Sequence, residues 1–445
     1  MTGHILFMLV VLLATLRVLS GLRSGRLERS AISAAGLFIY GFCMWVPAYL
    51  QVRGALDSKL QDAGFLSPPT TSEFNDLAFR WSGELAVLVF AELIVILWLS
   101  FKARKNLALV GPVNAQNNDK WIDAETVAIL LVVVGFAATI VFPTPGLESR
   151  GAGGQGIQIM LRTCLVGGLA MLVYFRCFSS RIYFFLLVGG VVVLALANVR
   201  SPLVVLFLAY VASEIARRRH GFSTRRSLTI LTLVVGVSLL GSFMSAMRAN
   251  IIRDLGLPFS EVISQTFRNP LIGIYSAGVD TLDGYRFSQA IAPYELPRPS
   301  DLMLILTTFV PRSIWPEKPD SISVDLSAKY LGYKSSGQFL SPMGYLNLIW
   351  GSYGLALLSF FLFSLIFSAL IIKFRSSFWL CILLVVVFRF LLGGSSFDIY
   401  YGLVLAIPIA LIRFAVSILR RPKVRPINVV RKPQREASIA RSAIE

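Results

Sequence analysis

Residues 346–372 read LNLIWGSYGLALLSFFLFSLIFSALII, twenty-seven positions without one charged side chain. A helix needs about 20 apolar residues to cross the hydrocarbon of a bilayer. This run is long enough, and Lys373 and Arg375 end it with positive charge. Ten further runs have the same character: 4–20, 31–50, 81–101, 123–142, 157–175, 182–199, 202–216, 228–247, 377–394 and 398–419. The expected fold is all-α, a polytopic transmembrane helix bundle of about eleven spans. Composition agrees, since 56% of the 445 residues are hydrophobic and only 15% charged. A soluble domain averages about 25% charged residues. A water-soluble enzyme, a disordered chain and a disulfide scaffold are thereby excluded.

The net charge of +18 would suggest nucleic acid in a soluble chain. Its distribution says otherwise. Alternate connections hold Arg23, Arg26 and Arg29, then Lys102, Arg104, Lys105 and Lys120. Arg176 and Arg181, the five arginines between 217 and 226, Lys373 and Arg375, and the tail follow. They total twenty-four basic residues against four acidic ones, and the intervening connections are near neutral. Basic loops stay in the cytoplasm. The C-terminus is therefore expected inside and, with eleven spans, the N-terminus outside. The opening Met-Thr-Gly-His lacks the basic stretch of a secretory signal, so the first run is expected to remain as a span. The excess charge needs no nucleic acid. Contact with membrane lipids suffices, including anionic headgroups at the basic tail.

Four regions follow: an N-terminal bundle of about eight helices (1–247), an extracytoplasmic segment (248–345), C-terminal spans (346–419) and a disordered basic tail (420–445). The second is too long for a connector and is expected to be folded. Its short apolar stretch 302–310 cannot span as a helix and is expected to be re-entrant or interfacial.

Arginine is costly in hydrocarbon, so an arginine at a membrane edge is a functional candidate. Arg200 lies in the turn between two spans, Arg248 ends a span at the mouth of the large loop, and Arg389 lies within the tenth span. Arg253, Arg312 and Lys318 add cations on the same side. A cluster of this kind suits a diphosphate, because a guanidinium grips phosphate oxygens through two hydrogen bonds. The competing reading pairs each arginine with an acid or lets it snorkel to headgroups. The stretch Val310-Pro311-Arg312-Ser313-Ile314-Trp315-Pro316-Glu317-Lys318-Pro319-Asp320 is stiffened by three prolines and displays Trp315, whose indole offers a sugar an apolar face. An interfacial anchor is the plainer role for that indole. Glu84 and Glu92 share a face of the third span and fit proton carriers; pairing with Arg162 or another intramembrane arginine is the alternative. Four scattered cysteines read as small buried hydrophobes. With only His4 and His220 present, the outer side has no histidine base and no His/Cys metal site.

The Arg200-Ser-Pro-Leu start of a span, the Pro311–Pro319 loop, and Tyr345-Leu-Asn347 followed by Gly351 and Gly354 together resemble oligosaccharide repeat-unit polymerases of the Wzy type. The resemblance covers roughly residues 186–400. It implies a GT-C-like glycosyltransferase of the bacterial inner membrane with one large extracytoplasmic loop, making O-antigen, capsule or exopolysaccharide. The donor is a glycan on undecaprenyl diphosphate, the acceptor one repeat unit on the same lipid, and the transfer inverts the anomeric carbon without cofactor or metal. A chain-length regulator is left open as a protein partner. Arg200, Arg248, Arg253, Trp315, Lys318, Tyr345, Asn347 and Arg389 are expected to bind diphosphate or sugar. Arg312, Glu317, Asp320 and Asp283 are the expected catalytic set, the carboxylates as candidate bases. The lack of an outer histidine favours polymerase over the related ligases. Two other classes stand beside it. One is a GT-C transferase using polyprenyl-phosphate sugars, with Asp57, Asp62, Glu73 and Asp76 in the 51–80 loop. The other is a lipid-linked oligosaccharide flippase using Glu84 and Glu92.

Overall fold

The computed structural model describes residues 2–53, 66–107, 124–142, 156–176, 181–196, 201–217, 258–268, 272–307, 314–332 and 340–419, with a few isolated positions besides. Among them the regular structure is helical and no strand occurs. The helices are α1 (Thr2–Arg23), α2 (Ala31–Val52), α3 (Thr71–Leu107), α4 (Ala124–Val141), α5 (Gly156–Phe175), α6 (Arg181–Leu196) and α7 (Ser201–Ala216). There follow α8 (Phe259–Arg268), α9 (Ile272–Ile291), α10 (Leu304–Thr307), α11 (Ile322–Leu331), α12 (Pro342–Trp350), α13 (Tyr353–Lys373), α14 (Trp379–Gly393) and α15 (Ser396–Leu419). Six of these are long and apolar enough to cross a membrane, and α5, α6, α7 and α14 supply shorter apolar helices. The expected span 228–247 and the tail 420–445 lie outside the described residues, apart from isolated positions of the former.

Two helices depart from the expected runs. The stretch 346–372 is broken: Gly351 takes a left-handed φ of 63° and its amide bonds back to the Asn347 carbonyl at 2.8 Å. Glycine pays no Cβ penalty there, so α12 stops and α13 starts afresh at Tyr353. Inside α2, Leu37–Trp45 winds as a π-helix. Such wider turns are rare and recur at functional positions.

Small residues set the closest helix contact. A Cβ on Gly135 of α4 would strike the backbone of Leu165 in α5, and one on Gly168 would strike Ala128 and Val132. Small side chains let membrane helices approach this closely. Many leucines of α1 and phenylalanines of α3 remain exposed, as expected of surfaces that face lipid rather than water.

Contacts between helix ends sort the connections into two groups. Glu28, between α1 and α2, pairs with Arg375, between α13 and α14, at 3.2 Å. At that same turn Phe378 meets Tyr174 with ring centroids 5.3 Å apart. Ser213 of α7 donates to the Tyr174 carbonyl at 2.7 Å, and Arg176 pairs with Glu214. Four of the arginine-bearing connections therefore gather at one end of the bundle. At the opposite end the Leu340 amide bonds to the Gly393 carbonyl at 2.9 Å.

The segment 258–332 is folded onto the bundle. Its longest helix, α9, packs against the π-helical turn of α2 and against α12, burying Val279, Leu282, Asp283, Tyr285 and Ser288. Within the apolar stretch 302–310, Leu304–Thr307 forms the short helix α10, which lies on α15.

Candidate functional site

The end of the bundle that carries Arg389 is built by a close junction. Ser341 adopts a φ of 61° and its hydroxyl caps α12 by accepting from the Gly344 amide at 3.2 Å. Opposite it, Gly394 turns at a φ of 65°, and any Cβ there would collide with the Ser341 carbonyl. The last residues of the long connection are thus fixed against the end of α14. One turn before that end, the Arg389 guanidinium pairs with Asp398 at 3.0 Å and lies 4.2 Å from the centre of the Tyr401 ring. Asp398 also accepts from Ser395 at 2.7 Å. The ion pair is largely buried, which makes it sensitive to loss of either partner. The Arg389 Nε has no hydrogen-bond partner among the described residues.

Tyr345 and Asn347 come from α12. Tyr345 is buried and its hydroxyl donates to Asp301 at 2.5 Å, while the other Asp301 oxygen accepts from the Ile322 amide at 2.8 Å. Tyr345 therefore ties the bundle to the 299–322 region. Asn347 is half-buried, and the Leu348 carbonyl beside it accepts from the Arg298 amide.

In the proline-rich stretch, Arg312 lies outside the described residues. Trp315, Glu317 and Asp320 are exposed. Lys318 turns back, its Nζ donating to the Val310 carbonyl at 3.1 Å, and its amide bonds to the Trp315 carbonyl. This closes the turn that displays Trp315 and Glu317. Nearby, Glu295 accepts from Lys329 at 2.5 Å and Tyr330 at 2.7 Å, and Arg298 bridges Glu295 and Asp325. Burial alone would push the Glu295 carboxyl up, but the Lys329 and Tyr330 hydrogen bonds and the flanking cations outweigh it. The group is held below its ordinary range.

Asp283 is fully buried on α9. It accepts from the Leu66 amide at 3.2 Å and sits 3.5 Å from Arg286, which in turn grips Glu73 through two nitrogens at 2.7 and 3.0 Å. Its surroundings are those of a clamp on the 66–73 segment, whereas Glu317 and Asp320 are exposed. Arg200, Arg248 and Arg253 lie outside the described residues. Arg200 immediately precedes α7, whose opposite end meets the Phe378 turn, so α7 begins at the Arg389 end of α14.

A second cluster joins Glu84, an intramembrane acid marked in the sequence, to residues that the sequence does not point to. Glu84 is fully buried on α3. Its Oε1 accepts from Tyr285 of α9 at 2.7 Å and from Tyr353 of α13 at 3.4 Å. Tyr40, from the π-helical turn, lies within electrostatic reach of it. One helical turn away, Arg80 donates to Gln289 at 2.9 Å and covers the Tyr353 ring at 5.9 Å. In the sequence only Glu84 is marked, as an acid within an apolar run; nothing local points to Arg80 or the tyrosines. Glu92 behaves differently: it accepts from the Ile32 and Ser33 amides at 2.7 and 3.1 Å, capping the start of α2 where a negative charge is favoured. Arg162 donates to the Phe142 carbonyl.

No known protein family matches the chain, and neither a curated protein nor a solved structure matches it.

Proposed function

We propose that this protein is an integral membrane glycosyltransferase that polymerises undecaprenyl-diphosphate-linked oligosaccharide units on the outer leaflet. In this reading eleven spans place the N-terminus outside and the basic tail in the cytoplasm. The observation that carries the reading is the junction of Ser341 with Gly394. It brings the end of the long connection, with its Tyr345-Leu-Asn347 motif, onto the same end of the bundle as Arg389. The acceptor hydroxyl attacks the anomeric carbon, and the lipid diphosphate leaves with the bonding electrons. Charge grows on that diphosphate, and cations already in place stabilise it without reorganising. Arg200, Arg312 and Arg389 have this role, with Arg248, Arg253 and Lys318 as further ligands of diphosphate or sugar. Trp315, displayed by its stiff turn, is a platform for a sugar ring, and Glu317 and Asp320 are the exposed carboxylates available as base.

The test is reconstitution in liposomes with labelled lipid-linked repeat units. Longer glycans on one lipid support the polymerase. Translocation without lengthening identifies a flippase instead. Activity that survives Arg312→Ala but is abolished by Asp57→Asn or Asp76→Asn identifies a transferase using polyprenyl-phosphate sugars.

A further inference from the structure

A fully buried carboxylate in a bundle of apolar helices calls for an account of what balances it. Around Glu84 the facing groups are Tyr40 from α2, Tyr285 from α9, Tyr353 from α13 and, on its own helix, Arg80. Among the described residues no basic side chain forms an ion pair with it. Its Oε1 takes both tyrosine hydrogen bonds, while among the described residues Oε2 and the buried Tyr40 hydroxyl have no partner except each other. An ionised carboxylate only accepts, but a protonated one also donates. Tyr40 and Oε2 can pair in either state, the phenol donating to the carboxylate or accepting from the protonated acid, and Tyr285 and Tyr353 serve either state through Oε1; what favours the proton is the burial of a charge with no cation paired to it.

We propose that Glu84 is a proton-binding site, filled and emptied through Tyr353. That tyrosine is half-buried and flanked by the exposed Gly351, Ser352 and Gly354, with the exposed Arg80 over its ring. It is the one ring member that reaches from the carboxylate towards the surface. The step balances simply: Tyr353 Oη passes its proton to Glu84 and takes one from the wet side, with no other bond changed. The proposal does not need the polymerase reading. On that reading, it supplies a place for the proton that the attacking hydroxyl releases.

Infrared spectroscopy of the purified full chain in nanodiscs tests it, following the carboxyl carbonyl band as pH is varied through the neutral range. A band that grows on acidification, is lost in Glu84→Gln and persists in Glu92→Gln is the expected result. In Tyr353→Phe the band remains, but its exchange with deuterium slows. Tyr40→Phe, which removes the group facing Oε2, moves the pH at which the band appears and gives a reading even where Glu84→Gln does not fold. A spectrum unchanged in Glu84→Gln, or insensitive to both tyrosine substitutions, overturns the site. Glycan assays on the same preparations are separate, so loss of polymerase activity and loss of the band are distinguishable.

Discussion

The Tyr345 hydroxyl donates to Asp301 across 2.5 Å in a buried setting, joining the start of α12 to a carboxylate forty-four residues earlier. Asp301 spends its other oxygen on the Ile322 amide at the start of α11. One aspartate therefore holds together three pieces of the 299–350 region. The Tyr-x-Asn motif that sequence reading assigns to substrate binding has a structural task on its tyrosine side.

Tyr345→Phe should destabilise that region by about 1–3 kcal/mol, the cost of leaving a buried acceptor short of a donor. A lowered melting temperature in nanodiscs, together with faster proteolysis between 299 and 332, is the expected outcome. Unchanged melting and proteolysis would show that Asp301 is held by Ile322 alone.

Arg389→Ala leaves Asp398 buried without its cation, at a cost of about 3 kcal/mol. The double variant Arg389→Ala with Asp398→Asn should recover most of the lost melting temperature. Glycan synthesis should stay absent in both, because the diphosphate cation is still missing. Full activity in the stabilised double variant would remove Arg389 from the site.

Arg312→Ala and Arg200→Ala should each lower long-glycan formation by roughly 100-fold or more, the scale seen when one transition-state donor is removed. Membrane insertion, checked by reporter fusions at the C-terminus, should be normal. Wild-type chain length in both variants contradicts the proposed role.

The Glu295 cluster makes a pH prediction. Glu295 is held below its unfolded value of about 4.3, so its stabilisation is complete above that value. It is lost as pH falls through the folded value. Limited proteolysis of the 292–332 region should accelerate on acidification below about pH 4. Glu295→Gln should be cleaved faster at neutral pH and show a flatter pH dependence. The opposite slope, with protection gained in acid, would rule out the Lys329 and Arg298 contacts as its source.

Replacing Gly135 by Leu should separate α4 from α5, since no room exists for a side chain against the Leu165 backbone. The expected result is loss of the monodisperse detergent-solubilised protein. Gly189, around which a Cβ meets nothing, should accept Ala without effect.

Apolar runs were legible because a lipid-facing surface needs only apolar side chains, and local sequence states that directly. The break at Gly351 was not legible, since glycine is also a common packing residue in spans and only the φ distinguishes the two uses. Helix α9 was hidden for a related reason. Residues such as Asp280, Asp283 and Arg286 make its sequence look like a watery loop. It enters the bundle because Asp283 and Arg286 find partners at Leu66, Glu73 and Ser67, more than 200 residues away. Glu84 likewise announced itself as a buried acid, but its three tyrosines come from three other helices.

By itself the sequence determined that this chain is a bundle of membrane-crossing helices, because hydropathy is summed residue by residue along each helix. Which helices touch, which polar groups satisfy one another, and that Tyr345 binds Asp301 while Glu84 faces a ring of tyrosines were decided only by the tertiary structure. Burying a polar group requires a partner in space, and no local pattern records where in the chain that partner stands.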